Sequence, residues 1–329
     1  MYSITCNKIV IIDAIGNHID DYEQRCVASS LYQTLNDKIS DLQTQNDFAK
    51  SLSCELVKVR GKEQWNEKLT KIEQDCKNGV RPIIHFVSHG LIKGMQIADS
   101  SAEKYEIILW DDVYSVLTKI NIACHNNLFV SMCVCHGFWS MIHLLNRRRI
   151  PFCGLLASPD AVSAEEVNNL IPAFYIELLE KTTFTDAKKR FEKVVHSLEK
   201  DGVEVGRWYI KQTDMEFVKA VRGDYERRST LFRVRQMAKK EFKRRRFPVI
   251  SEAMIRWFIG MNFKYVPKFY QEIRDELFMR DLYPEEYTRF NLPTTYDKLR
   301  RCPLPKEQVD DTILIVDRCM NVRKKNSKI

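Results

Sequence analysis

Short β-branched apolar runs alternate with long amphipathic segments over the first two thirds of this chain, and that alternation restricts the fold more than any other feature. "KIVIIDAIG" (8–16) is strand-like and closes on a glycine, and Asp20 to Phe48 then carries polar–apolar periodicity of helical spacing. "CELVKVRG" (54–61), "EQWNEKLTKIEQDCKNG" (63–79) and "RPIIHFVSHG" (81–90) follow as strand, helix and buried-type strand. After a polar excursion, "WDDVYSVLTKIN" (110–121) has helical spacing and "NLFVSMCVC" (127–135) is another strand. A helix over 138–149, a strand "IPFCGLLAS" (150–158), helices over 164–181 and 185–200 and a last strand "VGRWYIKQ" (205–212) complete the series. Strands that alternate with helices join in parallel with the helices on both faces. A doubly wound, mostly parallel six-stranded α/β domain over 1–213 is therefore expected.

Residues 214–329 differ in character. The chain's net charge of +8 is concentrated there, whereas the first 200 residues are slightly acidic. Aromatic, Arg-rich runs such as "DYERRSTLFRVRQMAKKEFKRRR" (224–246), "SEAMIRWFIGMNF" (251–263) and "KFYQEIRDELFMRDL" (268–282) are punctuated by Pro248, Pro267, Pro284, Pro293, Pro303 and Pro305. They predict a basic, mainly helical C-terminal module. Its charge suits an acidic partner: a regulatory protein, or nucleic acid gripped by arginines with Phe232 and Phe242 stacking on bases. The same run also reads as an amphipathic helix packed through Leu231, Val234, Met237 and Phe242.

No apolar run approaches the roughly 18 residues that cross a bilayer. The start "MYSITCNKIVIIDAIG" lacks the basic region and cleavage site of a secretory signal, so a cytoplasmic location is expected. The ten cysteines form no regular framework and read as reduced thiols.

In an open parallel sheet, reacting groups gather at the carboxyl ends of the strands. Two strands here end in reactive residues, one at His89-Gly90 and the other at Cys135-His136-Gly137. If these strands are neighbours, a base and a nucleophile face each other. Gly90 is suited to offer an unobstructed backbone N–H beside that of Cys135 to a developing oxyanion. Cys133 lies on the same strand face as Cys135, but only Cys135 stands beyond the last apolar residue and two before the turn glycine, where its sulfur can leave the sheet. Cys124, His125, Cys133, Cys135 and His136 have the composition of a metal site. Their spacing is poor for one, because structural zinc sites use Cys-x2-Cys or Cys-x4-Cys hooks on turns, and neither a metal nor any other cofactor is expected. His85, inside its strand, reads as a satisfied core histidine.

"HFVSHG", followed 46 residues after His89 by a strand ending Cys-x-Gly, resembles the caspase-like cysteine proteases of clan CD. Through "ILWDDVYSVLTKIN", "IPFCGLLASPDAVSAEEV", "AFYIELLEK" and "RWYIK" it is similar in particular to bacterial CHAT-domain proteases. In that family a Ser-x-Cys also matches Ser131-Met132-Cys133, so Cys133 stays open as the alternative nucleophile. The resemblance covers about residues 8–213. It implies a cysteine endopeptidase in which Cys135 attacks a peptide carbonyl, His89 protonates the leaving amine, and the N–H groups of Gly90 and Cys135 hold the oxyanion, with no third residue required. It further implies protein substrates and a latent effector of bacterial stress or antiviral defence, switched on by a partner or ligand. Asp160, in the loop after the next strand, is the candidate carboxylate at the mouth of a pocket for a basic P1 residue; Asp13, Asp111 and Asp112 also end strands or open helices. The competing class is a catalytically silent scaffold that binds a protein partner or nucleic acid through the basic module.

Overall fold

A computed structural model describes residues 6–17, 22–45, 47–138, 149–181, 183–214, 271, 274–290 and 292–293. These fall into two compact units. The first comprises Met1–Thr213 with Leu282–Phe290, and the second Asp214–Asp281 with Asn291–Ile329. Residues 139–148 of the expected helix over 138–149, and the basic runs 224–246 and 251–263, lie outside the described residues.

The first unit is built on the expected sheet. Strands β1 (Lys8–Asp13), β2 (Ser53–Lys58), β3 (Pro82–Val87), β4 (His89–Leu91), β5 (Gly94–Ala98), β6 (Tyr105–Leu109), β7 (Phe129–Cys133), β8 (Gly154–Ala157) and β9 (Tyr209–Gln212) form two sheets. The larger has the order β2-β1-β3-β7-β8-β9, and the smaller β4-β5-β6. All pairings in the large sheet are parallel except β8 with β9. Every residue of β3, β7 and β8 is buried, which is why these central strands read as continuous apolar runs, while the edge strand β2 is half-exposed.

Helices α1 (Tyr22–Arg25), α2 (Val27–Gln45), α3 (Gly61–Lys77), α4 (Trp110–Ala123), α5 (Ala164–Lys181) and α6 (Phe184–Lys200) cover the sheet. Helices α2, α5 and α6 pack together as one group and α3 and α4 as another, as a doubly wound domain requires. The polar excursion holds the unexpected element. The run 81–90 does not continue as one strand: β3 stops at Val87, and His89 begins the antiparallel β4-β5-β6 sheet.

A polar cluster lies within the core, around His85. His85 on β3 lies 3.0 Å from Ser131 Oγ and 3.2 Å from Tyr175 Oη, both at Nδ1, and its Nε2 is buried without a hydrogen-bond partner. Burial lowers its pKa from 6.5 to about 3, so the folded protein holds it neutral. A group depressed in this way contributes its full stability above pH 6.5 and loses it as pH falls from there towards 3. The expected loss between pH 7 and pH 5 is about 2 kcal/mol. Urea unfolding at the two pH values should show this loss in the wild type and a smaller one in His85→Phe.

The segment Leu282–Phe290, expected with the C-terminal module, instead packs with the first unit on the turn between α4 and β7. Tyr283 stacks on His125 with ring centroids 4.6 Å apart and donates its hydroxyl to the Ile122 carbonyl at 2.7 Å. Arg289 donates to Asn127 Oδ1 at 2.9 Å and to the Asn126 carbonyl. His125 and Asn126 both have left-handed backbone, at φ 57° and 59°. The buried Asn121 side chain holds that turn by donating to Asn126 Oδ1 and accepting from the Leu128 N–H, both at 2.9 Å.

Among the described residues of the second unit, Leu277, Phe278 and Met279 are buried. Arg274, 3% exposed at its side chain, pairs with Asp275 at 2.7 Å and donates to the Pro293 carbonyl at 2.9 Å. No described helix is long and apolar enough to cross a membrane.

Candidate active site

Strands β3 and β7 are neighbours, and their register sets the site. Ile83 pairs with Phe129, His85 with Ser131 and Val87 with Cys133, a constant offset of 46 residues. His89 and Cys135 stand two residues beyond the last pair, at the carboxyl ends of their strands, and carry the same offset. Both line one cleft, together with Ser88, Cys133, Val162 and Ser163. The cleft has a volume of about 20 Å³, room for roughly one water.

Gly90 brings the two chain segments into backbone contact. A Cβ at this position would stand 1.7 Å from the Cys135 carbonyl oxygen and 2.8 Å from the Cys135 nitrogen. No side chain fits there. Gly137 closes the turn after the cysteine, donating its N–H to the Val134 carbonyl at 3.1 Å. His136 between them takes φ 61° and its Nδ1–H donates to the Pro159 carbonyl at 2.9 Å, so its imidazole is engaged with the next loop.

That loop holds the sulfur. The Val162 N–H donates to Cys135 Sγ at 3.4 Å. Val162 is fixed by its neighbour Ser163, the cap of α5: Ser163 Oγ accepts from the Glu166 N–H at 3.1 Å, and Glu166 Oε2 accepts from the Ser163 N–H at 2.9 Å. Backbone bonds from His136 to Asp160 and from Phe138 to Ser158, each 3.0 Å, join the turn after β7 to the same loop. The Ser-x-x-Glu signature of this cap stands in the sequence, but nothing there says that it faces a thiol.

The two cysteines are not equivalent. Cys133 is buried, lies 4.0 Å from Ser131 Oγ, and burial pushes its thiol pKa far up. Cys135 also lines the cleft and is half-buried. Iodoacetamide added to the native protein should therefore modify Cys135 and reach Cys133 only after unfolding, as peptide mapping by mass spectrometry would read.

Asp160 lies in the loop after β8 but is already engaged. Arg207 grips it with Nε at 2.8 Å and Nη2 at 2.7 Å, and the Arg207 guanidinium holds its pKa below the usual carboxylate range. Asp13 ends β1 buried, with its pKa raised by burial, and Asp111 and Asp112 sit in the first turn of α4. Of the residues with metal-ligand composition, Cys124 and His125 lie at the opposite end of β7 from Cys135. Among the described residues no group of three or more His, Cys, Asp or Glu is placed to hold a metal ion.

No protein-family profile matches the chain, and no curated protein matches it. Among solved structures it is similar to a secreted C11 cysteine protease from Bacteroides thetaiotaomicron, determined in complex with an irreversible peptide inhibitor. The identity is 12% and the TM-score 0.39, over 67% of this chain and 70% of that one.

Proposed function

We propose that this protein is a cysteine endopeptidase of the caspase-like type that works through His89 and Cys135. The observation that carries the reading is the register of β3 and β7, which sets the His89 and Cys135 strand ends side by side with the Gly90 backbone against that of Cys135. The Cys135 thiol passes its proton to His89 and its sulfur attacks the scissile carbonyl, while the N–H groups of Gly90 and Cys135 receive the oxyanion. Collapse of the tetrahedral adduct breaks the C–N bond. His89 gives its proton to the leaving amine, then draws one from the water that hydrolyses the thioester and frees the thiol.

Asp160 serves substrates with a basic P1 residue, and Arg207 occupies the place such a residue takes. Asp160→Asn should lower kcat/KM for an arginine P1 peptide by about 10-fold or more and leave a neutral P1 peptide within about twofold. Equal effects on both peptides would remove Asp160 from the specificity pocket.

The cleft is narrow, with about 20 Å³ of interior space. This suits a latent effector, as in stress or antiviral defence, opened by an activating ligand or a regulatory protein at the C-terminal module. The same narrowness favours a second reading, a silent scaffold that binds a protein partner or nucleic acid through that module. Steady hydrolysis of a fluorogenic arginine peptide by the wild type and none by Cys135→Ala supports the peptidase. Equal rates for the two proteins would sink it.

A further inference from the structure

We infer that Tyr105 is a positioning residue for His89, an inference that rests on the reading of His89 as the proton carrier of the site. The small β4-β5-β6 sheet makes this placement. His89 pairs with Gln96 across β4 and β5, and Ala98 pairs with Tyr105 across β5 and β6. Paired residues of antiparallel strands share a face, and so do residues two apart on one strand. His89, Gln96, Ala98 and Tyr105 therefore project from the same face, with His89 and Tyr105 on the outer strands and diagonal to each other.

Ala98 is what lets them meet. It is fully buried and puts only a methyl group in the lane between the outer strands. The Tyr105 ring crosses that lane to meet the imidazole edge to face, with centroids 4.8 Å apart and planes at 78°. A longer side chain at 98 would occupy the space.

The far end of the tyrosine is tied to the large sheet. Its hydroxyl accepts the Gly16 N–H at 2.9 Å, just beyond the end of β1. Gly16 has no room for a side chain, since a Cβ there would stand 2.7 Å from the Ala102 carbonyl oxygen and 3.2 Å from the Tyr105 hydroxyl. One ring thus spans from the end of β1 to His89. His89 itself opens a strand of three residues, a short support for a side chain that must keep one rotamer toward Cys135. Tyr105 acts on the chemistry only through the imidazole it holds, so its loss should appear in kcat rather than in substrate binding.

The experiment uses the full chain with Tyr105→Phe, Tyr105→Leu and Tyr105→Ala, Leu being included to keep volume if Ala fails to fold. Two readouts are taken: kcat and KM on a peptide that the wild type cleaves, and the ¹H–¹³C resonances of the His89 ring, assigned through His89→Ala. Seven histidines keep that spectrum simple. The expected result is a kcat fall of about 10- to 100-fold in Leu and Ala with KM within about twofold, and a smaller fall of about 2- to 5-fold in Phe, which keeps the ring and loses the Gly16 bond. His89 resonances should move most in Leu and Ala and less in Phe. Leu and Ala proteins with wild-type kcat and unmoved His89 resonances would overturn the inference, as would Phe losing as much as Ala. If the wild type shows no turnover dependent on Cys135, the peptidase reading fails, and the His89 resonances alone then decide whether Tyr105 positions the ring.

Discussion

Cys135→Ala and His89→Ala should each lower peptide hydrolysis by about 10³-fold or more, while Cys133→Ala keeps the rate within a few-fold. Removing the sulfur removes the covalent route altogether. Removing the imidazole leaves a sulfur with nothing to carry the proton to the leaving amine. The double variant should be no worse than either single one, because two groups that act as a unit are not additive. Cys133 provides the control, since its thiol is buried and its pKa is raised by that burial. Initial rates on one fluorogenic peptide, with circular dichroism to show that each variant is folded, check all four expectations. A Cys133→Ala protein as inactive as Cys135→Ala would move the nucleophile two residues back.

Gly90→Ala should have the second largest effect, on stability and activity together. The added carbon would stand 1.7 Å from a backbone oxygen of Cys135, and backbone cannot swing aside as a flexible side chain does. Relief requires that the His89 hairpin and the Cys135 turn separate, which costs about 3 kcal/mol or more and pulls the acid away from the nucleophile. Gly79→Ala makes a useful comparison. That site has open space but φ +96°, so the same substitution there costs about 1 kcal/mol of backbone strain and leaves hydrolysis unchanged. Thermal melting and hydrolysis of the two variants, measured side by side, separate a local clash at the site from general loss of glycine. Wild-type activity in Gly90→Ala would contradict the close approach.

Much of this was legible in the chain because it depends on local periodicity. The alternation of buried runs with amphipathic helices predicts the six-stranded sheet. The offset of 46 residues between His89 and Cys135 is the same offset that pairs β3 with β7. What was not legible depends on contacts between distant segments. Strands β4, β5 and β6 are only three to five residues long, and β4 and β6 are mostly half-exposed, so the stretch reads as a polar excursion. Tyr105 meets His89 across two strand pairings, and no spacing rule in the sequence marks that diagonal. Arg207 reaches Asp160 from 47 residues away, so a carboxylate that looks available in the sequence is paired in the fold. Leu282–Phe290 joins the first unit through a ring stack and arginine contacts to a turn, neither of which leaves a periodic trace.

The most direct test of the His89–Cys135 pair is covalent trapping. The purified chain would be treated with a peptidyl acyloxymethyl ketone carrying arginine or aspartate at P1, and the adduct mapped by mass spectrometry in the wild type, His89→Ala and Cys133→Ala. One adduct is expected, on Cys135, formed faster with the arginine probe, lost in His89→Ala and kept in Cys133→Ala. An adduct on Cys133, or labelling of Cys135 at the same rate without His89, would contradict it.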